Sequence, residues 1–133
     1  WDTSGLPEGV YRVRVEASDE LANPPDRVQR HALESGTVLI DNTPPVIRQL
    51  AVAGKRIRGT AVDGVGPIAR IDVSVDPNPD LWIPFFPVDN VFDESTERFD
   101  LDVSSLVSGG SKLVAVRVID SAGNRVVRTV EVR

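Results

Sequence analysis

The residues best able to do chemistry in this chain are aspartates and asparagines in predicted turns. Asp41 and Asn42 lie directly before a Thr-Pro-Pro triplet, and Asp63 and Asp120 each follow a predicted strand. Carboxylate and amide oxygens are ligands that Ca²⁺ prefers. If the three turns lie at one end of the fold, these four residues form a calcium site. Asp120 with Asn124 also fits a hairpin turn in which Asx side chains bond nearby backbone, so both interpretations stay open.

A second candidate site is the apolar run from Leu81 to Pro87, which contains Trp82, Phe85 and Phe86. Aromatic rings on an exposed sheet face can stack on sugar rings, so these three residues are candidates for carbohydrate binding. The competing interpretation is that they cover the core or an edge strand. Because adjacent side chains of a strand point to opposite faces, only one of Phe85 and Phe86 is expected to be exposed.

Nothing in the sequence indicates an enzyme. His31 is the only histidine, it lies in a polar stretch, and no Gly-x-Ser-x-Gly elbow accompanies it, so we predict no catalytic residues. The net charge of −5 argues against nucleic-acid binding. Cysteine is absent, which excludes disulfides and thiolate metal sites. No apolar run reaches the ~18–20 residues of a spanning helix, so we predict no membrane insertion.

The chain is organised around Lys112–Asn124, in which alternating valines predict a strand that buries one face before a turn. The stretch Tyr11–Asn23 matches it at a constant offset of 101 residues. The matched pairs are Val13 with Val114, Val15 with Val116, Ala17 with Val118, Asp19 with Asp120 and Asn23 with Asn124. A hairpin repeated after roughly 100 residues predicts β-sandwich modules in tandem.

The repeat also predicts the domain boundary. A module of about 90–100 residues that ends at Arg133 begins near Pro44, so residues 44–133 form the complete module. Residues 1–43 are then the C-terminal hairpin of an incomplete one. Because the chain starts with Trp1 and contains no methionine, we expect it to be a fragment of a longer protein.

We predict an all-β fold, an immunoglobulin-like antiparallel sandwich of about seven strands that follows an extra β-hairpin. Tyr11, after a Leu-Pro-Glu-Gly turn, predicts a tyrosine corner in which the hydroxyl bonds nearby backbone. No stretch shows helical periodicity. Strands of the complete module are predicted at Val46–Val52, Arg56–Val62, Ala69–Val75, Leu81–Pro87 (an edge strand), Phe99–Val103 and the hairpin from Lys112 to Val132, with a turn at Asp76–Asp80.

Four segments resemble bacterial immunoglobulin-like or fibronectin type III-like tandem repeats of large exported proteins. They are Trp1–Tyr11, Arg14–Asp19, Asp41–Pro45 and Asp120–Asn124. The resemblance implies a non-catalytic spacer, adhesion or interaction module, located outside the cell or on its surface, with neighbouring domains of the same polypeptide as partners. The alternative is a ligand-binding module, for carbohydrate or for calcium.

The first hairpin carries a prediction of its own. Strands from Tyr11 to Ile40 lack the rest of a sandwich, which leaves an unpaired edge and an uncovered apolar face. An isolated hairpin is marginally stable in water. We therefore expect it to dock on the complete module or to form a homodimer with another chain by strand addition.

Overall fold

The computed structural model describes residues 1–76 and 81–133. Across these residues it is all-β, with nine strands in antiparallel sheets and no helix. The chain divides into two compact units, an N-terminal unit of residues 1–40 and a C-terminal unit of residues 41–133. The division lies three residues before the predicted one, so Asp41 belongs with the second unit. Of the predicted turn at 76–80, all but Asp76 lies outside the described residues.

The N-terminal unit is a two-stranded ribbon of β1 (Gly9–Ser18) and β2 (Arg30–Ile40). The sequence predicts only a short second strand at Thr37–Ile40, but β2 begins earlier because Arg30–Glu34 also pairs with the second half of β1. The predicted tyrosine corner is present, since the Tyr11 hydroxyl donates to the carbonyl of Pro7 at 2.7 Å. At the matching position of the repeat, Lys112 instead forms an ion pair with Asp76 at 2.6 Å.

Outside residues 77–80, the C-terminal unit has seven strands in two sheets, the number the sequence predicts. One sheet has the order β3-β4-β7 and the other the order β6-β5-β8-β9. The chain crosses between the sheets after β4, β6 and β7, as in sandwich folds. The strands are β3 (Val46–Ala53), β4 (Arg56–Val62), β5 (Ile68–Val75), β6 (Ile83–Phe85), β7 (Thr96–Asp102), β8 (Lys112–Asp120) and β9 (Arg125–Val132).

The core forms between these two sheets because alternate residues of their strands are apolar. Val114, Val116 and Val118 of β8 are fully buried, as the alternation predicts. They belong to one cluster with Ile57 and Ala61 of β4, Ile71 and Val73 of β5, Phe99 and Leu101 of β7, and Val132 of β9. This burial fixes the register of every strand, since a slip of one residue would turn the apolar set towards water.

One position in β4 has to be glycine because an aromatic ring packs directly against its Cα atom. Gly59 lies opposite Phe99 in the β4–β7 pair. A Cβ atom added to Gly59 would lie 2.5 Å from Cζ of Phe99, far inside van der Waals contact. Because the Phe99 ring is buried, it has no room to move away.

We expect Gly59→Ala to lower the free energy of unfolding by about 1–3 kcal/mol, the usual effect of overpacking a core. Urea denaturation followed by Trp82 fluorescence, in a Trp1→Phe background, measures this. Gly64→Ala is the matched control in the same unit, since a Cβ there meets nothing within 4 Å. Equal stability of the two variants would contradict the packing argument.

Candidate metal centre

Strand topology brings three of the predicted site residues to one end of the C-terminal unit. Asp63 directly follows β4 and Asp120 ends β8. The start of β3 pairs with the end of β4, and the start of β5 pairs with the end of β8. Asp41, a few residues before β3, therefore lies at the same end as the other two. The two loops are also tied together, because the Ser121 amide donates to the carbonyl of Pro67 at 2.9 Å.

Each aspartate is oriented by its own turn through its Oδ1 atom. Asp41 Oδ1 accepts the amide of Thr43 at 3.0 Å. Asp63 Oδ1 accepts two amides, from Val65 and Gly66, both at 2.8 Å. Asp120 Oδ1 accepts the amides of Ala122 and Asn124, both at 2.9 Å. The Asx turn predicted at Asp120 is therefore present, and its backbone amides bind only one of the two carboxylate oxygens.

The three carboxylates converge. Each offers an oxygen atom within 4.8 Å of those of the other two, and no other group of three acidic, histidine or cysteine side chains in the described part of the chain does so. Their exposed fractions are only 6% for Asp41, 6% for Asp63 and 1% for Asp120. Oxygens bound to one Ca²⁺ at about 2.4 Å lie at most about 4.8 Å apart, so the spacing suits a shared calcium ion.

The decisive atom is Asp63 Oδ2. It is buried and has no hydrogen-bond donor. A buried carboxylate oxygen without a partner is rare in folded proteins and costs about 1–3 kcal/mol or more. Because Asp63 is one of the three converging carboxylates, a cation bound among them is a natural partner for this oxygen.

The local charge leads to the same conclusion. Among residues 1–76 and 81–133, no lysine or arginine forms an ion pair with Asp63 or Asp120. Two like charges about 4 Å apart repel by about 4 kcal/mol at an effective dielectric constant of 20. Three buried carboxylates therefore destabilise one another unless a positive charge lies between them. A divalent cation with hard-ligand preferences provides that charge.

Asn124 is a part of the site that the sequence analysis treated only as a turn residue. Its Nδ2 donates to the carbonyl of Asp41 and to Asp120 Oδ2, both at 3.0 Å. It thus holds the segment before β3 against the β8–β9 turn. The signal that could have found it is the repeat, which places an asparagine four residues after an aspartate in both copies. Asn42, the fourth predicted ligand, has an exposed side chain.

The equivalent turn of the N-terminal unit has the same residue types without the same surroundings. Asp19 Oδ1 accepts a hydrogen bond from the backbone amide of Gln29 at 2.7 Å. The side-chain Nδ2 of Asn23 donates to the backbone carbonyl of Asp19 at 3.3 Å. Asp19 is exposed. The motif alone therefore forms a turn, and only the C-terminal copy is joined by two further carboxylates.

The three aromatic candidates for carbohydrate binding have different environments. The Trp82 ring is stacked on the guanidinium of Arg117, with Cζ 4.0 Å from the ring centroid. Phe85 is partly buried and packs against the core. Phe86 is 63% exposed and lies beside Phe92, with ring centroids 6.1 Å apart. The expected difference between the two phenylalanines is thus present, and carbohydrate binding stays a prediction.

His31, the single histidine of the sequence, lies in β2, and its side chain is exposed. No helix long and apolar enough to cross a bilayer occurs among the residues the structure describes. No protein-family model, curated protein or solved structure was found to match this chain.

We expect Asp63→Asn to raise the free energy of unfolding by about 1–2 kcal/mol when metal is chelated, because the repulsion among the carboxylates falls. The asparagine keeps an oxygen for the amides of Val65 and Gly66, and its new amide group can donate to the neighbouring carboxylates. Urea denaturation in excess EGTA measures the change. Asp19→Asn is the control, and a loss of stability in Asp63→Asn would contradict the repulsion argument.

Proposed function

We propose that this chain is a non-catalytic structural module of an exported protein, and that Asp41, Asp63 and Asp120 bind one Ca²⁺ that stiffens it. The observation that carries the proposal is the buried Oδ2 of Asp63, which has no donor and belongs to a group of three converging buried carboxylates. The seven-stranded sandwich, divided three and four, supports an immunoglobulin-like or fibronectin type III-like class.

The ligand set favours Ca²⁺ over other cations. It consists of carboxylate oxygens, which suit hard cations, with neither histidine nor cysteine nearby in the group. Ca²⁺ accepts six to eight oxygens in flexible geometry, whereas Mg²⁺ demands near-ideal octahedral geometry at about 2.0–2.1 Å. Backbone carbonyls and water complete the coordination of Ca²⁺.

The mechanical role follows from where the three ligands lie along the chain. Asp41 is in the segment that enters β3, Asp63 is in the β4–β5 loop and Asp120 is in the β8–β9 turn. These three segments are far apart in sequence, and the last two come from different sheets. One ion bound to all three joins the incoming chain to both sheets. Pro44 and Pro45 then restrict the residues that follow, since each fixes φ and lacks an amide donor.

An extracellular location suits such a site. Extracellular calcium modules bind the ion with dissociation constants of about 10⁻⁴–10⁻³ M. A module of this kind is held rigid outside the cell, where calcium is abundant. The proposal therefore places the chain outside the cell or on its surface as a spacer or adhesion repeat.

We expect calcium to raise the melting temperature of the C-terminal unit by about 5–20 °C. Ligand at about 10 to 100 times its dissociation constant stabilises a protein by about 1.4–2.7 kcal/mol. Each kcal/mol shifts the melting of a domain this small by about 4–8 °C. Differential scanning calorimetry with 10 mM CaCl₂ against EGTA measures the shift, and magnesium should produce much less.

Variants assign the effect to the site. Asp63→Asn should abolish the calcium shift, and isothermal titration calorimetry should find one ion per wild-type chain and none for the variant. Asp19→Asn, the matched residue of the other hairpin, should keep both the shift and the binding. Absence of calcium binding in the wild-type chain would overturn the proposal.

A further inference from the structure

The N-terminal unit is an amphipathic ribbon. Arg12 pairs with Thr37, and the next regular pair joins Arg14 to Glu34. This step covers two residues on β1 but three on β2, so the extra residue forms a bulge on β2 and the side chains of β1 alternate regularly. One face carries the apolar side chains of Tyr11, Val13, Val15 and Ala17 from β1 and of Leu33 and Val38 from β2. Val15 is 65% exposed and Leu33, directly opposite it, is 69% exposed.

The opposite face of the ribbon carries charged side chains, with the apolar Val10 at one end. Arg12 contacts Glu34, and Arg14 contacts Glu16 on its own strand, each pair at 3.3 Å. All four side chains are about half exposed or more, so these pairs contribute little to stability and are free to exchange partners.

The internal repeat shows what the edge of β1 is built to accept. Strand β8, the counterpart of β1, is paired on both sides, with β9 on one edge and β5 on the other. Strand β1 is paired only with β2, the counterpart of β9. The edge that β5 occupies in the complete module is therefore free on β1 within the described residues. Free edges of this kind pair readily with another strand.

The contacts of β5 define which strand fits. Val73 of β5 lies opposite Val116, and Asp72 lies opposite Arg117, with which it forms an ion pair at 2.6 Å. By the offset of 101 residues, the corresponding positions of β1 are Val15 and Glu16. The fitting strand thus offers an apolar β-branched residue to Val15 and a cation to Glu16.

Strand β1 of a second copy meets both requirements. In an antiparallel pair centred on Val15, that residue faces Val15 of the partner subunit, and Glu16 faces Arg14 of the partner subunit. Symmetry repeats the charged pair on the other side of the axis. Val13 faces Ala17 of the partner subunit, so the apolar faces of the two ribbons join. We propose that two copies of this chain associate through the free edges of β1, with the two-fold axis at Val15.

The pairing is chemically self-complementary in a way that other registers are not. A shift of two residues would place Arg14 opposite Arg14 of the partner subunit or Glu16 opposite Glu16 of the partner subunit. Like charges directly opposite each other destabilise a strand pair, whereas opposite charges stabilise it by about 0.2–1 kcal/mol. The charges therefore select the register centred on Val15. The product is a four-stranded sheet in which β1 is no longer an edge.

Disulfide trapping tests the axis, because the chain has no cysteine of its own. Directly opposed residues of antiparallel strands have Cα atoms about 4.5–5.5 Å apart, within the range that a disulfide spans. We expect Val15→Cys to form a covalent dimer under mild oxidation with copper phenanthroline and to release it with dithiothreitol. Leu33→Cys, equally exposed on the same face, should stay mostly uncrosslinked. Equal crosslinking of the two variants overturns the proposal.

Charge reversal tests the register in solution. By sedimentation equilibrium, Glu16→Arg should weaken dimerisation about tenfold or more, since it creates two pairs of like charges. The double variant Arg14→Glu with Glu16→Arg should restore it. Asp26→Arg makes the same charge change off the edge strand and should leave dimerisation unchanged.

Three further results overturn the proposal. The first is a wild-type chain that stays monomeric at several hundred micromolar. This result overturns the proposal whatever protection hydrogen exchange finds for the β1 amides. Protected amides in a monomer would mean that the edge is covered within one chain. The second is association that continues beyond the dimer, and the third is a double variant that stays as weak as Glu16→Arg.

Discussion

The structure of the C-terminal unit depends on the burial of one face of β8 between two sheets. Val114, Val116 and Val118 are fully buried, and both neighbours of β8 are aligned against it. Since a slip by one residue would expose the whole apolar set, the register is fixed by the hydrophobic effect. The end of β8 is fixed with it, and so is the place of Asp120. The position of the Asp120 carboxylate in the loop is therefore a consequence of side-chain packing in the middle of the sheet.

The carboxylate group shows how two levels of structure combine. Local turns decide where each Oδ1 points, because amides two to four residues away bind it. Strand topology decides that three such turns meet. The combination leaves Asp63 Oδ2 buried without a donor, a feature that neither level produces alone. Arrangements that conflict with stability in this way are expected at functional sites, where a ligand resolves the conflict.

Period-two patterns were enough to predict the sandwich class and the positions of most strands, because buried strands alternate. The patterns predicted only the end of β2, Thr37–Ile40, and missed Arg30–Glu34, a segment of mixed polar and apolar residues that also pairs with β1. They also missed the irregularity in β3, where Gln49 has φ 53° and the register shifts between Arg48 and Ala51. Ile47 and Leu50 can then both pack against the core, although strict alternation separates them. Backbone pairing and bulges depend on neighbouring strands, which a local pattern does not contain.

For the site, residue type was sufficient to name Asp41, Asp63 and Asp120, but only topology could show that they meet. The two copies of the hairpin make the reason plain. Asp19 and Asp120 occupy equivalent turns, yet Asp19 is exposed and Asp120 is buried with two other acids. The same holds for the strands, since β1 and β8 share their valines but β8 alone has a second neighbour. A motif thus fixes what a residue can do, and the segments that surround it decide whether it does so. Both proposals come from this comparison of the two copies. In the C-terminal copy the fold brings three carboxylates together, and a cation would complete the site. In the N-terminal copy β1 has only one neighbouring strand, and a second chain would complete the sheet.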